Sequence, residues 1–178
     1  MAKRPWKRRS LRCPTWNYAS RGWYFLTLVT YQRAHLFGHI INGTIILNDF
    51  GNVIMAEWEA SRALRPHMHF DAIVVMPDHV HMLVYMKRNM VHVPDGSLHV
   101  RTRLPKSISS FVAQFKATCT RTIRHTHYYT APVWQRDYDD QRPRNKRHIH
   151  NVRRYIHNNP RHAPPTLVYN RAYQSSPS

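Results

Sequence analysis

The stretch HFDAIVVMPDHVHMLVYM, residues 69–86, decides the fold of this chain. Two runs within it, 69–76 and 79–86, are rich in apolar and β-branched residues, which is typical of strands. Only Pro77 and Asp78 separate the runs, so they are predicted to be antiparallel neighbours in one sheet.

The second of these strands carries His79 and His81, two positions apart. Residues at that spacing point to the same side of a strand and are separated by about 7 Å, given a rise of about 3.3 Å per residue. Two imidazoles on one face can therefore bind one metal ion, while Val80 points into the core. The chain contains 14 histidines, so the same spacing is also compatible with a solvated strand face.

The segments on either side complete the fold class. The predicted order of elements is strand, helix, strand, strand, helix, short strand and helix. This order predicts an α+β fold: a ferredoxin-like antiparallel sheet with helices packed on one face. The predicted elements are a strand at 23–32, a hairpin turn at Asn42-Gly43, a helix at Asp49–Ala63, a helix at Lys106–His127, a short extended stretch around Val133–Tyr138 and a helix at Arg144–Asn159.

A length of 178 residues is ordinary for one domain, which we place at residues 23–163. Residues 1–22 are basic and irregular, and they are predicted to form an N-terminal arm. Residues 87–105 are predicted to be a long polar loop, and residues 164–178 a C-terminal tail.

The charge of the chain indicates its partner. The formal net charge is +18, from 27 Lys and Arg against 9 Asp and Glu, and such a field attracts polyanions. Nucleic acid is the usual partner of so basic a chain, with an anionic membrane surface as the rival. No apolar run is long enough to span a bilayer, and the N-terminus lacks a secretory signal, so a cytoplasmic location is predicted.

A second feature lies in the last predicted helix, where Tyr155 and Asn159 stand four positions apart and so share one face. Asn159 offers a neutral oxygen. Two imidazoles and one amide oxygen can form an open site for Mg²⁺ or Mn²⁺. In the alternative interpretation, Tyr155 is a tyrosine at the edge of the core and Asn159 a helix-end residue before Pro160.

The segment PDHVHMLVYM resembles the paired-histidine motif of the HUH endonucleases. The whole layout resembles the single-tyrosine HUH transposases of the IS200/IS605 type, and among them the REP-associated tyrosine transposases. The likeness covers most of the chain and rests on several segments in the same order. These are PTWNYASRGWYFLTLVTYQR (14–33), FDAIVVMPDHVHMLVYM (70–86), KSISSFVAQFKA (106–117), VWQRDYDD (133–140) and RRYIHNNP (153–160).

The resemblance implies an enzyme that cleaves and rejoins hairpin-bearing single-stranded DNA through a 5′-phosphotyrosine intermediate. It implies that Tyr155 is the nucleophile, and that His79, His81 and Asn159 bind a divalent metal, Mg²⁺ or Mn²⁺. Relatives include both monomers and homodimers. The chain departs from the pattern at residues 138–141, where these proteins often carry an Asp-His pair and this chain has YDDQ.

Five basic side chains near these segments are predicted to contact the DNA backbone, although each can also belong to a solvated basic face. They are Lys116, Arg121, Arg124, Arg153 and Arg154.

Two alternatives stay open. The first is a hairpin-DNA-binding protein that derives from a transposase and lacks catalysis. The second is a metal-dependent hydrolase or oxygenase, in which Asp78 or Asp71 would supply the carboxylate that an iron site of that type needs. Within the transposase interpretation, Tyr138 and Tyr85 are other candidate nucleophiles.

Overall fold

A computed structural model describes residues 20–87 and 107–162 of the chain. In chain order, the strands and helices are β1 (Gly22–Val29), a 3₁₀ turn (Tyr31–Arg33), β2 (Gly38–Ile41), β3 (Thr44–Leu47), α1 (Asp49–Leu64), β4 (Met68–Val75), β5 (His79–Met86), α2 (Ile108–His127), β6 (Asp139–Gln141), α3 (Lys146–Asn158) and a terminal 3₁₀ turn (Asn159–His162). The predicted α+β class with an antiparallel sheet is confirmed.

The main sheet has four strands in the order β4-β5-β1-β6, and all neighbours are antiparallel. The central pair, β5 and β1, runs in register over its full length, with Leu28 opposite Val80. On the other side of β5, the pairing with β4 shifts at a bulge between Phe70 and Ala72. The predicted antiparallel pairing of 69–76 with 79–86 is therefore confirmed.

Helices cover both faces of this sheet, so the prediction that they share one face is wrong. On one face, Leu26 and Met82 pack in the main core with Trp58 of α1 and Phe115 of α2. On the other face, the alternate strand residues Phe25 and Leu83 pack with Val152 and Ile156 of α3. Since successive strand residues point to opposite faces, β1 and β5 are buried on both sides.

Polar caps define where the helices begin. Ser107 and Ser110 form a reciprocal capping box at the start of α2, which satisfies backbone N–H groups that have no partner within the helix. Asn48 caps α1 and Asn145 caps α3 in the same manner, each with its side-chain oxygen. These caps fix the residue at which each helix begins.

The smaller β2–β3 hairpin turns at Asn42 and Gly43, as their sequence predicts, and both residues have positive φ (50° and 71°). Nearby, Gly51 in α1 packs so tightly that a Cβ there would lie 2.2 Å from the carbonyl oxygen of Phe37. The hairpin and α1 are thereby held close together.

Some sequence predictions fall outside the described residues: nearly all of the 1–22 arm, the 164–178 tail and most of the 87–105 loop. Strand β1 begins at Gly22, the last residue assigned to the arm. Among the helices of residues 20–87 and 107–162, none is long and apolar enough to cross a bilayer.

Candidate active site

His79 and His81 lie at the start of β5, and His81 belongs to the face on which α3 packs. The register with β1 places His81 opposite Thr27, and His79 opposite Val29. The two imidazole ring centroids are 4.6 Å apart, and the ring planes are inclined at 71°. The structure therefore brings together the two rings that the strand periodicity predicted to share a face.

Each imidazole is held through its Nδ1 atom. His79 Nδ1 lies 2.5 Å from Asp78 Oδ1, and His81 Nδ1 lies 2.9 Å from Thr27 Oγ1. A histidine that donates from Nδ1 keeps the lone pair of Nε2 for another ligand, and this is the usual arrangement of metal-binding histidines. The Asp78 carboxylate can only accept, so His79 donates from Nδ1 and keeps Nε2 for a ligand, while the contact with Thr27 orients the ring of His81.

The carboxylate of Asp78 is buried, with 3% of the residue exposed, and it links His79 to Arg33. Arg33 Nη1 donates to Asp78 Oδ2 at 3.0 Å. Burial opposes ionisation of Asp78, but the hydrogen bonds and charges of His79 and Arg33 outweigh it and lower the pKa of the carboxyl group. Gln32 and Arg33 have φ of 53° and 55°, a left-handed conformation that non-glycine residues rarely adopt. This turn brings the guanidinium to the site.

His81 is only 6% exposed. Burial and the neighbouring charge of His79 lower the pKa of His81 to about 3, with Asp78 acting in the opposite direction. His81 is therefore neutral at physiological pH, which is the form that binds a metal ion.

Tyr155 projects from α3 toward this pair. Its hydroxyl lies 3.4 Å from His81 Nε2, and its ring meets the rings of His81 and Phe25 edge-on, with centroids 5.3 and 6.0 Å away. The residue is nevertheless 51% exposed. The Tyr155 side chain is thus partly open to solvent beside a buried histidine.

Asn159 follows α3 as the first residue of the terminal 3₁₀ turn, one helical turn beyond Tyr155. Its backbone N–H donates to the carbonyl of Ile156, and the residue is buried, with 8% exposed. Its role as a neutral oxygen ligand stays a prediction.

The carboxylates that the iron site of the alternative interpretation would need are both engaged by other side chains. Asp78 is already bonded to His79 and Arg33, and Asp71 forms a two-point ion pair with Arg153 at 2.6 and 2.9 Å. Over residues 20–87 and 107–162, no three His, Cys, Asp or Glu side chains form a metal-binding group. A third ligand from this part of the chain would have to be a neutral oxygen such as that of Asn159.

The other two candidate tyrosines are engaged elsewhere. Tyr138 is 4% exposed, and its hydroxyl lies 3.1 Å from Ser109 Oγ. Tyr85 accepts a hydrogen bond from Arg21 Nε at 2.6 Å, and it stands four residues along β5 from His81, about 13 Å away at the strand rise. Neither hydroxyl adjoins the paired imidazoles.

The five basic residues predicted to contact DNA fall into two groups on opposite faces of the sheet. Arg153 and Arg154 are on α3, beside Tyr155, and Arg153 is paired with Asp71. The other three, Lys116, Arg121 and Arg124, are on α2, across the sheet.

Three residues that hold the histidines were not singled out from the sequence for that purpose. Of the three, Asp78 has a signal in the sequence, since it directly precedes His79, but that position predicts only a possible metal ligand. Thr27 and Arg33 have no such signal in the sequence. Thr27 reaches the site through the β1–β5 register, and Arg33 reaches it through a left-handed turn.

Comparison with known proteins places these features in context. No protein-family model matches the chain. An uncharacterized protein of Haemophilus influenzae is 35% identical over 159 residues, which cover 86% of this chain and 88% of that protein. Among solved structures, a REP-associated tyrosine transposase bound to a REP hairpin has a similar fold, with a TM-score of 0.55 at 19% identity, covering 90% of this chain and 73% of that one.

Proposed function

This chain belongs to the same protein family as the uncharacterized Haemophilus influenzae protein, and we propose that it is a metal-dependent, transposase-type endonuclease and strand transferase acting on single-stranded DNA. The observation that carries the proposal is that Tyr155, a half-exposed residue, has its hydroxyl 3.4 Å from Nε2 of the buried His81. The solved transposase of similar fold is bound to a REP hairpin, which supports hairpin-bearing DNA as the substrate class.

In the proposed reaction the phenolic oxygen of Tyr155 attacks a phosphodiester phosphorus. The new O–P bond forms as the bond from phosphorus to the 3′-oxygen breaks, which leaves a 5′-phosphotyrosine and a free 3′-hydroxyl. The phenol gives up one proton and the leaving oxygen takes up one, so the exchange is balanced and reversible. In the reverse step another 3′-hydroxyl attacks the phosphotyrosine, which releases Tyr155 and joins the two DNA strands without ATP.

A divalent cation held by His79, His81 and Asn159 would act as a Lewis acid and offset the charge of the phosphate. The chain itself contributes positioning. Thr27 and Asp78 fix the two imidazole rings, while the rings of Phe25 and His81 flank the phenol of Tyr155. A nucleophile held in one orientation loses little freedom when the reaction begins.

The packing of α3 brings Tyr155 to a histidine of its own chain. Val152 and Ile156 anchor the helix on the same sheet face that carries His81, so the Tyr155 hydroxyl reaches His81 without a second subunit. This arrangement supports cleavage by a monomer. A homodimer is not required to supply the tyrosine.

The net charge of +18 supports a nucleic-acid substrate, since such a field draws phosphates to the protein. Arg154 is exposed next to Tyr155 and is proposed to contact the DNA beside the cleaved bond. Arg153 also lies 5.3 Å from the centroid of the Trp23 ring, so it shapes the surface around the substrate while it is held by Asp71.

The test is to incubate the protein with a pool of hairpin-bearing single-stranded DNA and Mg²⁺ or Mn²⁺. We expect a protein–DNA adduct that survives denaturation in the wild type and is absent in Tyr155→Phe. Tyr128→Phe is the matched control, because Tyr128 is 88% exposed at the end of α2, away from the site, and this variant should form the adduct normally. An adduct that persists in Tyr155→Phe would contradict the assignment of the nucleophile.

The second candidate function is a hairpin-DNA-binding protein without catalysis. The run YDDQ at residues 138–141 favours it, because the Asp-His pair common in the resembling transposases is missing there. Tight, salt-sensitive binding by the wild type with no adduct under either metal would support this candidate over the enzyme.

A further inference from the structure

Arg33 is held at the candidate active site, yet most of its side chain is open to solvent. Within residues 20–87 and 107–162 it forms one ion pair, in which Nη1 donates to Asp78 Oδ2 at 3.0 Å. The side chain of Arg33 is 66% exposed, whereas that of Asp78 is 4% exposed. A guanidinium group carries five N–H donors in a planar fork. The ion pair therefore leaves most of the fork for another acceptor.

The ion pair of Arg153 with Asp71 has a different form. Arg153 donates from both Nε and Nη2 to the two carboxylate oxygens, at 2.6 and 2.9 Å. Such a two-point pair is the strong and geometrically specific way for an arginine to bind a carboxylate. Asp78 instead uses its other oxygen to hold His79 Nδ1, so Arg33 makes a single-point contact. The Asp78 carboxylate thus joins one imidazole and one largely unoccupied guanidinium group.

The backbone that brings Arg33 to this position is strained. Gln32 and Arg33 both have a left-handed conformation, which is unfavourable for residues that have a Cβ atom. Such conformations persist where the surroundings enforce them, and they cluster at functional sites. Here the buried Thr30 anchors the turn on Asp78 itself. The backbone N–H of Thr30 donates to the Asp78 carbonyl oxygen at 2.9 Å, and its hydroxyl oxygen lies 2.9 Å from the same atom.

The guanidinium group of Arg33 borders the imidazole that is proposed to bind the cation. Arg33 and His79 approach the two oxygens of one carboxylate, and the His79 ring keeps Nε2 for a ligand. A phosphate bound through the cation would carry its negative charge next to this imidazole. Guanidinium groups match phosphate oxygens in both charge and geometry, and they stay positively charged at any pH at which proteins fold.

We propose that Arg33 is a further catalytic residue, which binds a non-bridging oxygen of the cleaved phosphate and offsets the negative charge that develops there as Tyr155 attacks. Donors that are fixed before the reaction and aimed at developing charge need little reorganisation, which makes them effective in catalysis. Asp78 and the anchored turn hold Arg33 in that way. No bond to Arg33 forms or breaks. The inference rests on the proposed function, since it takes cleavage of a phosphodiester by Tyr155 as the reaction.

The experiment removes the charge from the phosphate and asks whether Arg33 still matters. An oligonucleotide that the wild type cleaves is taken from the pool of hairpin-bearing DNA, and its cleaved bond is mapped. It is then synthesised with a methyl group in place of one non-bridging oxygen of that phosphate. The rate of adduct formation is measured for wild type and Arg33→Gln on both substrates, at saturating DNA and Mn²⁺. We expect Arg33→Gln to lower the rate by about 100- to 1000-fold on the natural phosphate and by less than about tenfold on the uncharged one.

A residue that only positions His79 through Asp78 would give a different result. In that case Arg33→Gln lowers the rate on both substrates by the same factor, which overturns the proposal. Arg33→Lys keeps the charge but loses the fork, so it should recover part of the rate on the natural phosphate. The same comparison of substrates with Arg33→Lys decides the question if Arg33→Gln does not fold.

Arg62→Gln is the matched control, because Arg62 is also an exposed arginine paired with a carboxylate, that of Glu59 on α1. It should leave the rates on both substrates unchanged. A wild type that forms no adduct refutes the proposed enzyme and the role of Arg33 with it. Adduct formation by the wild type, with equal factors for Arg33→Gln on the two substrates, refutes the role of Arg33 alone.

Discussion

Substitution of Asp78 by Asn tests the proposed metal centre at the residue that orients it. The carboxylate is buried and accepts from His79 Nδ1 at 2.5 Å and from Arg33 Nη1 at 3.0 Å. Asparagine keeps the shape but offers only one accepting oxygen and a donating NH₂ group. One of the two donors therefore loses its acceptor, and the His79 ring is no longer held by a charge-assisted hydrogen bond.

Loss of such an orienting partner typically lowers metal affinity by about 10- to 100-fold. That range corresponds to about 1.4 to 2.7 kcal/mol of binding free energy. It is similar to the contribution of one hydrogen bond to a charged group, about 1.5–3 kcal/mol. We therefore expect the Kd for Mn²⁺ to rise by one to two orders of magnitude, measured by isothermal titration calorimetry on the Tyr155→Phe chain.

Asp71→Asn is the control for this measurement. Asp71 lies on the neighbouring strand β4 and is also a largely buried carboxylate in an ion pair, but its partners are Arg153 and His69. Its substitution should leave the Mn²⁺ affinity unchanged. Equal affinities in Asp78→Asn and the parent would refute the reasoning, provided that thermal unfolding shows both proteins to be folded. An equal loss of Mn²⁺ affinity in Asp71→Asn would mean that any lost negative charge has this effect, whatever its position.

Two further substitutions test stability, one where α1 packs against Phe37 and one at the candidate site. Gly51→Ala places a methyl group 2.2 Å from the Phe37 carbonyl oxygen. We therefore expect the free energy of unfolding, measured by denaturant titration, to fall by about 1–3 kcal/mol. An unchanged free energy of unfolding would show that α1 can shift to make room. Thr27→Val keeps the side-chain shape but removes the partner of the buried His81 Nδ1, with an expected cost of about 1–3 kcal/mol. Thr44→Val, at an exposed position of β3, is its control and should be nearly neutral by the same titration.

Local patterns in the sequence predicted the strands well. Strand β5 spans His79–Met86, as its period-two alternation indicates, and the Asn42-Gly43 hairpin turn is where its residue types require it. Helix α2 was predicted to within two residues of each end. These features depend on neighbouring residues in the chain, so the sequence contains the information directly.

Features that depend on pairing between distant segments could not be predicted in this way. The alternating pattern of β5 is the same whether a helix covers one face or both, so the position of α3 became clear only from its packing against Phe25 and Leu83. The contact of Thr27 with His81 likewise depends on a register between residues 54 positions apart. The short strand β6, at Asp139–Gln141, has no β-branched or aromatic residue to mark it.

The bulge between Phe70 and Ala72 on β4 affects how copies of this chain behave at high concentration. In the described part of the chain β4 is an outer strand of the sheet, and outer strands expose backbone groups that can recruit a strand from another molecule. The bulge distorts that edge, and a charged residue, Asp71, occupies the shift while held by Arg153. Both features discourage edge-to-edge growth of sheets. Pairing between the β4 edges of two copies of this chain is thereby disfavoured.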